Sequence, residues 1–172
     1  MPPRESPEEP TVELSAVDED VLDRLVAAAV AGASANEVTP PVPPGEQWVP
    51  ERIEWLRAFH RSRRAGLDGP ARETTWAVLV HGDVVGSIRL KRIAQSGNVE
   101  VGLWLTRGVR GCGVGRRALA AVLEQARALG AGAIRADTTA TNRPALAVLA
   151  AFGFECTTVE DDGVIAWLAL DG

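Results

Sequence analysis

The sequence predicts an α/β domain, and three stretches predict it. TTWAVLVHGDVVGSIRLKRI alternates apolar and polar residues on both sides of His81-Gly82-Asp83, as two strands joined by a tight turn do. Residues 99 to 130, VEVGLWLTRGVRGCGVGRRALAAVLEQARALG, pass from an alternating strand through a glycine-rich turn into an amphipathic helix. Residues 134 to 154, IRADTTATNRPALAVLAAFGF, repeat the order of strand then helix, with Asn142 placed to cap the helix, Pro144 in its first turn and Gly153 at its stop. A chain of 172 residues suffices for one domain with a single core.

Taken in order, residues 1–10, with four prolines and three glutamates, read as a disordered leader, and 11–172 as the folded domain. Thr11 to Leu14 suits a first strand. Asp18 through Val30 has acids in its first turn and Val21, Leu22, Leu25, Val26 and Ala29 at helical spacing. Asn36 to Gln47, with four prolines, reads as a loop. Pro50 opens a second helix, PERIEWLRAFHRSRRAG, with Ile53, Leu56 and Phe59 on one face and arginines on the other. After the hairpin, Val99 to Leu105 supplies a neighbouring strand. The helix from Gly115 turns Leu119, Val122, Leu123, Ala126 and Leu129 inward and stops at Gly130. A last hairpin, 155–159 with 164–170, turns at Asp161-Asp162-Gly163.

Composition narrows the function. No apolar run approaches a membrane span and the first residues do not lead into a signal-peptide core, so a cytoplasmic protein without a membrane partner is expected. The cysteines, Cys112 and Cys156, fit neither a disulfide framework nor a zinc site, and no metal is expected. Charge is uneven: residues 1–46 carry two arginines against ten acids, 47–117 thirteen cations against six acids, and the remainder three against seven. The basic middle would draw a polyanionic cofactor and the acidic flanks a cationic amine. An acidic chain with no basic stripe interleaved with aromatics excludes nucleic acid as a partner.

The glycine-rich turn carries the chemistry. Gly111, Gly113 and Gly115 strip side chains from it, so backbone N–H groups can close on an anion at the positive end of the next helix. A nucleotide P-loop needs Gly-Lys-Ser/Thr, but Arg116 and Arg117 follow Gly115; a dinucleotide turn needs glycine where Arg116 stands, which disfavours a nicotinamide-dependent oxidoreductase. What remains is Arg110-x-x-Gly113-x-Gly115, with the amides of Arg110, Gly111, Cys112, Gly113, Val114, Gly115 and Arg116 as the phosphate cradle and Arg110, Arg116 or Arg117 as charged partners.

This motif, followed about forty residues later by Asn142 between a strand and a helix, resembles the acetyl-CoA signature of the GCN5-related N-acetyltransferase (GNAT) superfamily. The resemblance spans most of the chain. It implies a mixed, mostly antiparallel sheet of six to seven strands flanked by about four helices, with splayed central strands forming an acetyl-CoA cleft. It also assigns the pantetheine arm to Asn142 and to the main chain of Leu103, Trp104 and Leu105, and puts the acceptor between the first two helices and their connecting loop. The implied activity is N-acetyl transfer to the primary amine of a small molecule or peptide by direct attack in a ternary complex. The implied state is a monomer or homodimer.

A lysine-like amine with a pKa of about 10.4 is almost wholly protonated at neutral pH, so a base is expected. Glu100 is the candidate, the one acid on the strand Val99 to Leu105, alternating away from Val99, Val101 and Leu103; Glu46 and Asp137 are weaker ones. Trp48 and Trp55 are placed to line an acceptor pocket. One feature departs from the resemblance. Many members of that superfamily carry a tyrosine seven residues after the asparagine, whereas this chain has Leu149 there and no tyrosine at all. Cys112, His60 and Thr141 are the substitutes considered for the acid. The alternative function is an acyl-CoA-binding regulatory or partner-binding module with little catalysis.

Overall fold

The computed structural model describes residues 9–41 and 45–170. Most of the expected leader, residues 1–8, and part of the proline-rich stretch, residues 42–44, lie outside the described residues. Seven strands form one sheet in the order β1-β2-β3-β4-β5-β7-β6. They are β1 (Val12–Ala16), β2 (Glu73–Val80), β3 (Asp83–Arg92), β4 (Val99–Leu105), β5 (Ala133–Thr139), β6 (Glu155–Thr158) and β7 (Gly163–Ala169). Every neighbouring pair is antiparallel except β4 with β5. The helices are α1 (Glu19–Gly32), α2 (Ala35–Val38), α3 (Pro50–Ser62), α4 (Val114–Ala128) and α5 (Arg143–Ala151).

Local chemistry accounts for the joints. His81 and Gly82 both take positive φ, 50° and 84°, which is the twist that a two-residue hairpin between β2 and β3 needs. Asp18 caps α1 by accepting from the Val21 N–H at 2.9 Å, and Asn142 caps α5 by accepting from Ala145 N–H at 3.3 Å. The core lies on both faces of the sheet. Alternation sends Val78, Ile88, Leu90, Val99 and Val101 against α4, and Ala77, Leu79 and Val84 against α1 and α3.

Two expectations are corrected. The stretch read as a loop from Asn36 begins inside α2. The Glu37 carboxylate accepts from the Ser34 N–H at 2.8 Å and its hydroxyl at 3.1 Å, so a reciprocal cap supports a single turn despite the prolines beyond. On α3 the buried residues are Arg52, Leu56 and His60, at spacing i, i+4, i+8, while Ile53 and Phe59 are half-buried. The helix therefore turns two polar side chains inward, and the arginines do not all lie on the outer face.

Candidate active site

Between β4 and β5 the sheet opens. The two strands pair only from Val99–Val101 to Ile134–Ala136, yet β4 continues to Leu105 and β5 to Thr139, which pairs onward with β7. Leu103 is consequently 41% exposed although it sits in a central strand. Thr106 N–H donates to Val85 O, so the alternation of an antiparallel ladder turns the main chain of Trp104, Gly102 and Glu100 toward β3. The N–H and C=O groups of Leu103 and Leu105 face the gap instead. Of the three residues expected to offer main-chain contacts, Trp104 is thus corrected: its backbone serves β3 and its side chain packs with the α1 and α3 core.

Beyond β4 a short 3-10 turn, Arg107–Val109, leads into the glycine turn and α4. Gly111 and Gly113 hold φ of 75° and 82°, left-handed values that favour glycine, and a Cβ added at either would meet nothing within 4 Å. The turn is therefore open at both positions, and both residues are exposed. Gly115 differs: a Cβ there would meet the Leu103 and Leu105 side chains at 3.6 Å, an ordinary contact, so neither space nor backbone requires glycine. α4 has no side-chain cap, and the amides of Gly111, Cys112, Gly113, Val114, Gly115 and Arg116 find no acceptor among the described residues. Uncapped donors at the positive end of a fifteen-residue helix fit a diphosphate.

The arginines divide. The Arg110 guanidinium donates to Leu105 O at 3.1 and 2.8 Å and pairs with Glu37 at 3.0 Å, so its side chain joins β4 to α2 and is not free for phosphate, contrary to expectation. Arg117 pairs with Glu9. Arg116 is exposed and has no ion pair among the described residues, which leaves it as the cation of the turn. Cys112 is exposed, with its thiol directed at Arg110 O at 3.8 Å.

A cleft of about 500 Å³ opens over β3 and β4 beneath α3 and α2, and Glu100, Gly102, Leu103, Trp104 and Trp55 line it. Four acids face it, and their oxygens are unequally engaged. Glu73, 3% exposed, meets Arg63 at 3.1 Å with one oxygen and Arg89 at 3.4 Å with the other. Asp137 gives both oxygens to Arg135, at 2.7 Å each. Glu37 gives one oxygen to Arg110 and the other to Ser34. Burial pushes the Glu37 carboxyl up, but the Ser34 amide and hydroxyl with Arg110 outweigh it and hold the group below the usual range. Glu100 alone is bound through a single oxygen, Oε1, to Arg89 at 2.8 Å, and its Oε2 has no partner among the described residues.

Arg89 owes its place to the glycine opposite it. Arg89 and Gly102 are register partners, and a Cβ on Gly102 would lie 2.6 Å from Arg89 Nε. The guanidinium therefore lies across a bare backbone, between Glu73 and Glu100. Sequence reading missed this brace, because Arg89 is one of many arginines and its partners come from β2 and β4. It also missed the setting of His60, whose Nδ1 sits 2.9 Å from Thr75 Oγ1 in the cleft wall. Burial, then the charges of Arg63 and Arg64, bring its pKa down to about 4, so at neutral pH it has no imidazolium proton to give.

The other expected residues separate. Trp55 lines the cleft and is 38% exposed. Trp48 does not line it; its indole N–H donates to Ala33 O at 2.9 Å and its ring packs beside α1, which is a packing role. Glu46 is exposed and its carbonyl accepts from Ala35 N–H, away from the cleft lining. Asn142 uses its side-chain oxygen as the α5 cap. Leu149 is 5% exposed in the core, so apolar packing fills this position. Thr141 is exposed. Among the described residues no His, Cys, Asp and Glu cluster suits a metal, and no helix is long and apolar enough to cross a membrane.

A model of the acetyltransferase (GNAT) family matches residues 37–154. No curated protein matches the chain. Among solved structures it is similar to Mycobacterium smegmatis RimJ in complex with CoA-disulfide, at 18% identity and a TM-score of 0.73 over 92% of this chain and 81% of that one. It is also similar to the GNAT domain of S. lividans PAT, at 19% identity and a TM-score of 0.70 over 94% and 90%. A third is the PaiA N-acetyltransferase of Thermoplasma acidophilum in complex with coenzyme A, at 16% identity and a TM-score of 0.64 over 92% and 99%.

Proposed function

Because the chain belongs to the acetyltransferase (GNAT) family, we propose that it moves an acyl group from acetyl-CoA to a primary amine by direct attack within a ternary complex. Acetyl-CoA, when bound, supplies the acyl group as an activated thioester. The chain's own residues divide the remaining work. Amides from Gly111 to Arg116 bind the diphosphate, with Arg116 adding charge. The main chain of Leu103, facing the gap between β4 and β5, pairs with the pantetheine arm, and an amide there can polarise a carbonyl. Glu100 takes the amine's proton on Oε2, while Arg89 holds Oε1 and so orients the carboxylate.

The observation that carries this reading is the conjunction of six unengaged amides at the start of α4 with a strand gap that leads to the one cleft acid having a free oxygen. It is tested by thermal unfolding with acetyl-CoA. At about one hundred times Kd the ligand adds about 2.7 kcal/mol, a rise of several degrees in Tm for a domain of this size. Gly113→Trp, which forces a bulky side chain onto a left-handed position of the turn, abolishes the rise; an intact rise in that variant refutes the assignment.

Leu149 favours a second reading, an acyl-CoA-binding module with little catalysis, since no tyrosine is available to protonate the thiolate. A thiolate with a pKa near 8.5 is nonetheless a fair leaving group and can take its proton from water or from the attacking ammonium. CoA release across a panel of amines separates the two readings. Persistent silence with confirmed acetyl-CoA binding selects the module.

A further inference from the structure

The cleft's charges are spent on one another. Glu37 is answered by Arg110, Asp137 by Arg135, and Glu73 with Glu100 by Arg63 and Arg89. The lining cation without an ion pair among the described residues is Lys91, which is exposed at the rim. A polycation therefore finds no surplus of negative charge here and would meet Lys91 on entry. The expectation that acidic flanks favour a cationic amine therefore draws no support from the cleft acids, which are paired in place.

The other character of the cleft is aromatic. Trp55, Phe59 and Arg63 stand at i, i+4 and i+8 along α3 and its C-terminal cap and form a column. The Trp55 and Phe59 rings stack with centroids 5.0 Å apart at 22°, and Arg63 Cζ lies 4.0 Å over the Phe59 ring. His60 meets Phe59 edge-on at 5.3 Å, and Glu73 holds Arg63. Phe59 is thus fixed between its neighbours, and Trp55 is pressed onto it while remaining 38% exposed in the cleft wall. A rigid indole with an open surface loses little conformational freedom on binding, so a flat apolar partner keeps most of the contact energy. The volume, about 500 Å³, falls within the range of small-ligand sites.

Resting on the acyl-transfer reading above, we infer that the acceptor is a monoamine joined by a short chain to a planar aromatic ring, with the ring against Trp55 and the amine at Glu100. Two sources share this chemistry: a free arylalkylamine and a peptide beginning with an aromatic residue.

The test measures CoA release from acetyl-CoA with 2-phenylethylamine, spermidine, and two dipeptide amides beginning with phenylalanine or alanine. The aromatic acceptors exceed spermidine and the alanine peptide in kcat/KM by about tenfold. Trp55→Ala removes that advantage through KM and leaves kcat near its value, and Trp55→Phe retains it. The better of the two aromatic acceptors identifies the source. Spermidine or the alanine peptide serving equally well, or an advantage that survives Trp55→Ala, overturns the inference. If no amine reacts, saturation-transfer NMR with 2-phenylethylamine decides it: contacts to the phenyl protons that vanish in Trp55→Ala uphold the ring site, and their absence from the unmodified protein overturns it. Failure of the acyl-transfer reading appears separately, as the lack of a thermal shift with acetyl-CoA.

Discussion

His60 makes stability depend on pH in a window that lies mostly above the carboxylate range. The imidazole is 1% exposed, bonded to Thr75 through Nδ1, and held at about 4, while in the unfolded chain it titrates near 6.5. Between those values the unfolded chain takes up a proton that the folded chain refuses, so acidification favours unfolding. The contribution is complete above pH 6.5, falls by about 1.4 kcal/mol for each pH unit below it, and is exhausted near pH 4. The whole difference is about 3 kcal/mol, a large share of a stability of about 5–15 kcal/mol. His60→Asn keeps a polar atom for Thr75 but does not titrate. Urea denaturation at pH 7.0, 6.0 and 5.0 should show the native protein losing about 2 kcal/mol across that range relative to the variant. Parallel losses in the two proteins would refute the burial argument, whatever fixed cost the substitution adds at every pH.

Three further sets of substitutions probe the reacting end of the cleft and the phosphate turn. Glu100→Gln should lower kcat about a hundredfold with the acetyl-CoA Kd unchanged, as measured by single-turnover kinetics and calorimetry; an unaltered kcat removes Glu100 from the base role. Gly102→Ala should also lower kcat, because its Cβ displaces Arg89 from Glu100, and a structure of the variant with Arg89 unmoved would contradict the explanation. Arg116→Gln should weaken acetyl-CoA binding and reduce its dependence on salt, whereas Arg110→Gln should leave both nearly unaltered because that side chain is already committed to Leu105 and Glu37. The reverse order in a titration at two ionic strengths would return Arg110 to the phosphate.

Elements governed by near neighbours are legible in the amino-acid sequence. The turn at His81-Gly82, the caps at Asp18 and Asn142, and the left-handed glycines 111 and 113 depend on residues a few places apart, so their spacing carries them. Periodicity also reveals the buried residues of α1 and most of those of α4, since an amphipathic stripe needs only that some core exists; Leu129, expected inward, follows the last turn of α4 and is exposed. It misleads on α3. Arg52, Leu56 and His60 do recur at helical spacing, but polar identity argues against burial, and only the walls built by β2 and α1 make room for them.

Both hairpins are legible, but side-chain pairing between elements distant in the chain is not. Whether Arg110 meets a phosphate or a carbonyl depends on how β4 and α2 approach, and which cleft acid keeps a free oxygen depends on arginines drawn from β3, β5 and the end of α3. The order of strands and helices, the anion-binding turn and the family signature follow from the sequence alone, because they are properties of short segments. The gap between β4 and β5, the neutralisation of Glu37, Glu73 and Asp137, and the exposure of Trp55 arise only when the chain is folded, because charge pairing and burial follow distances in space that spacing along the chain does not encode.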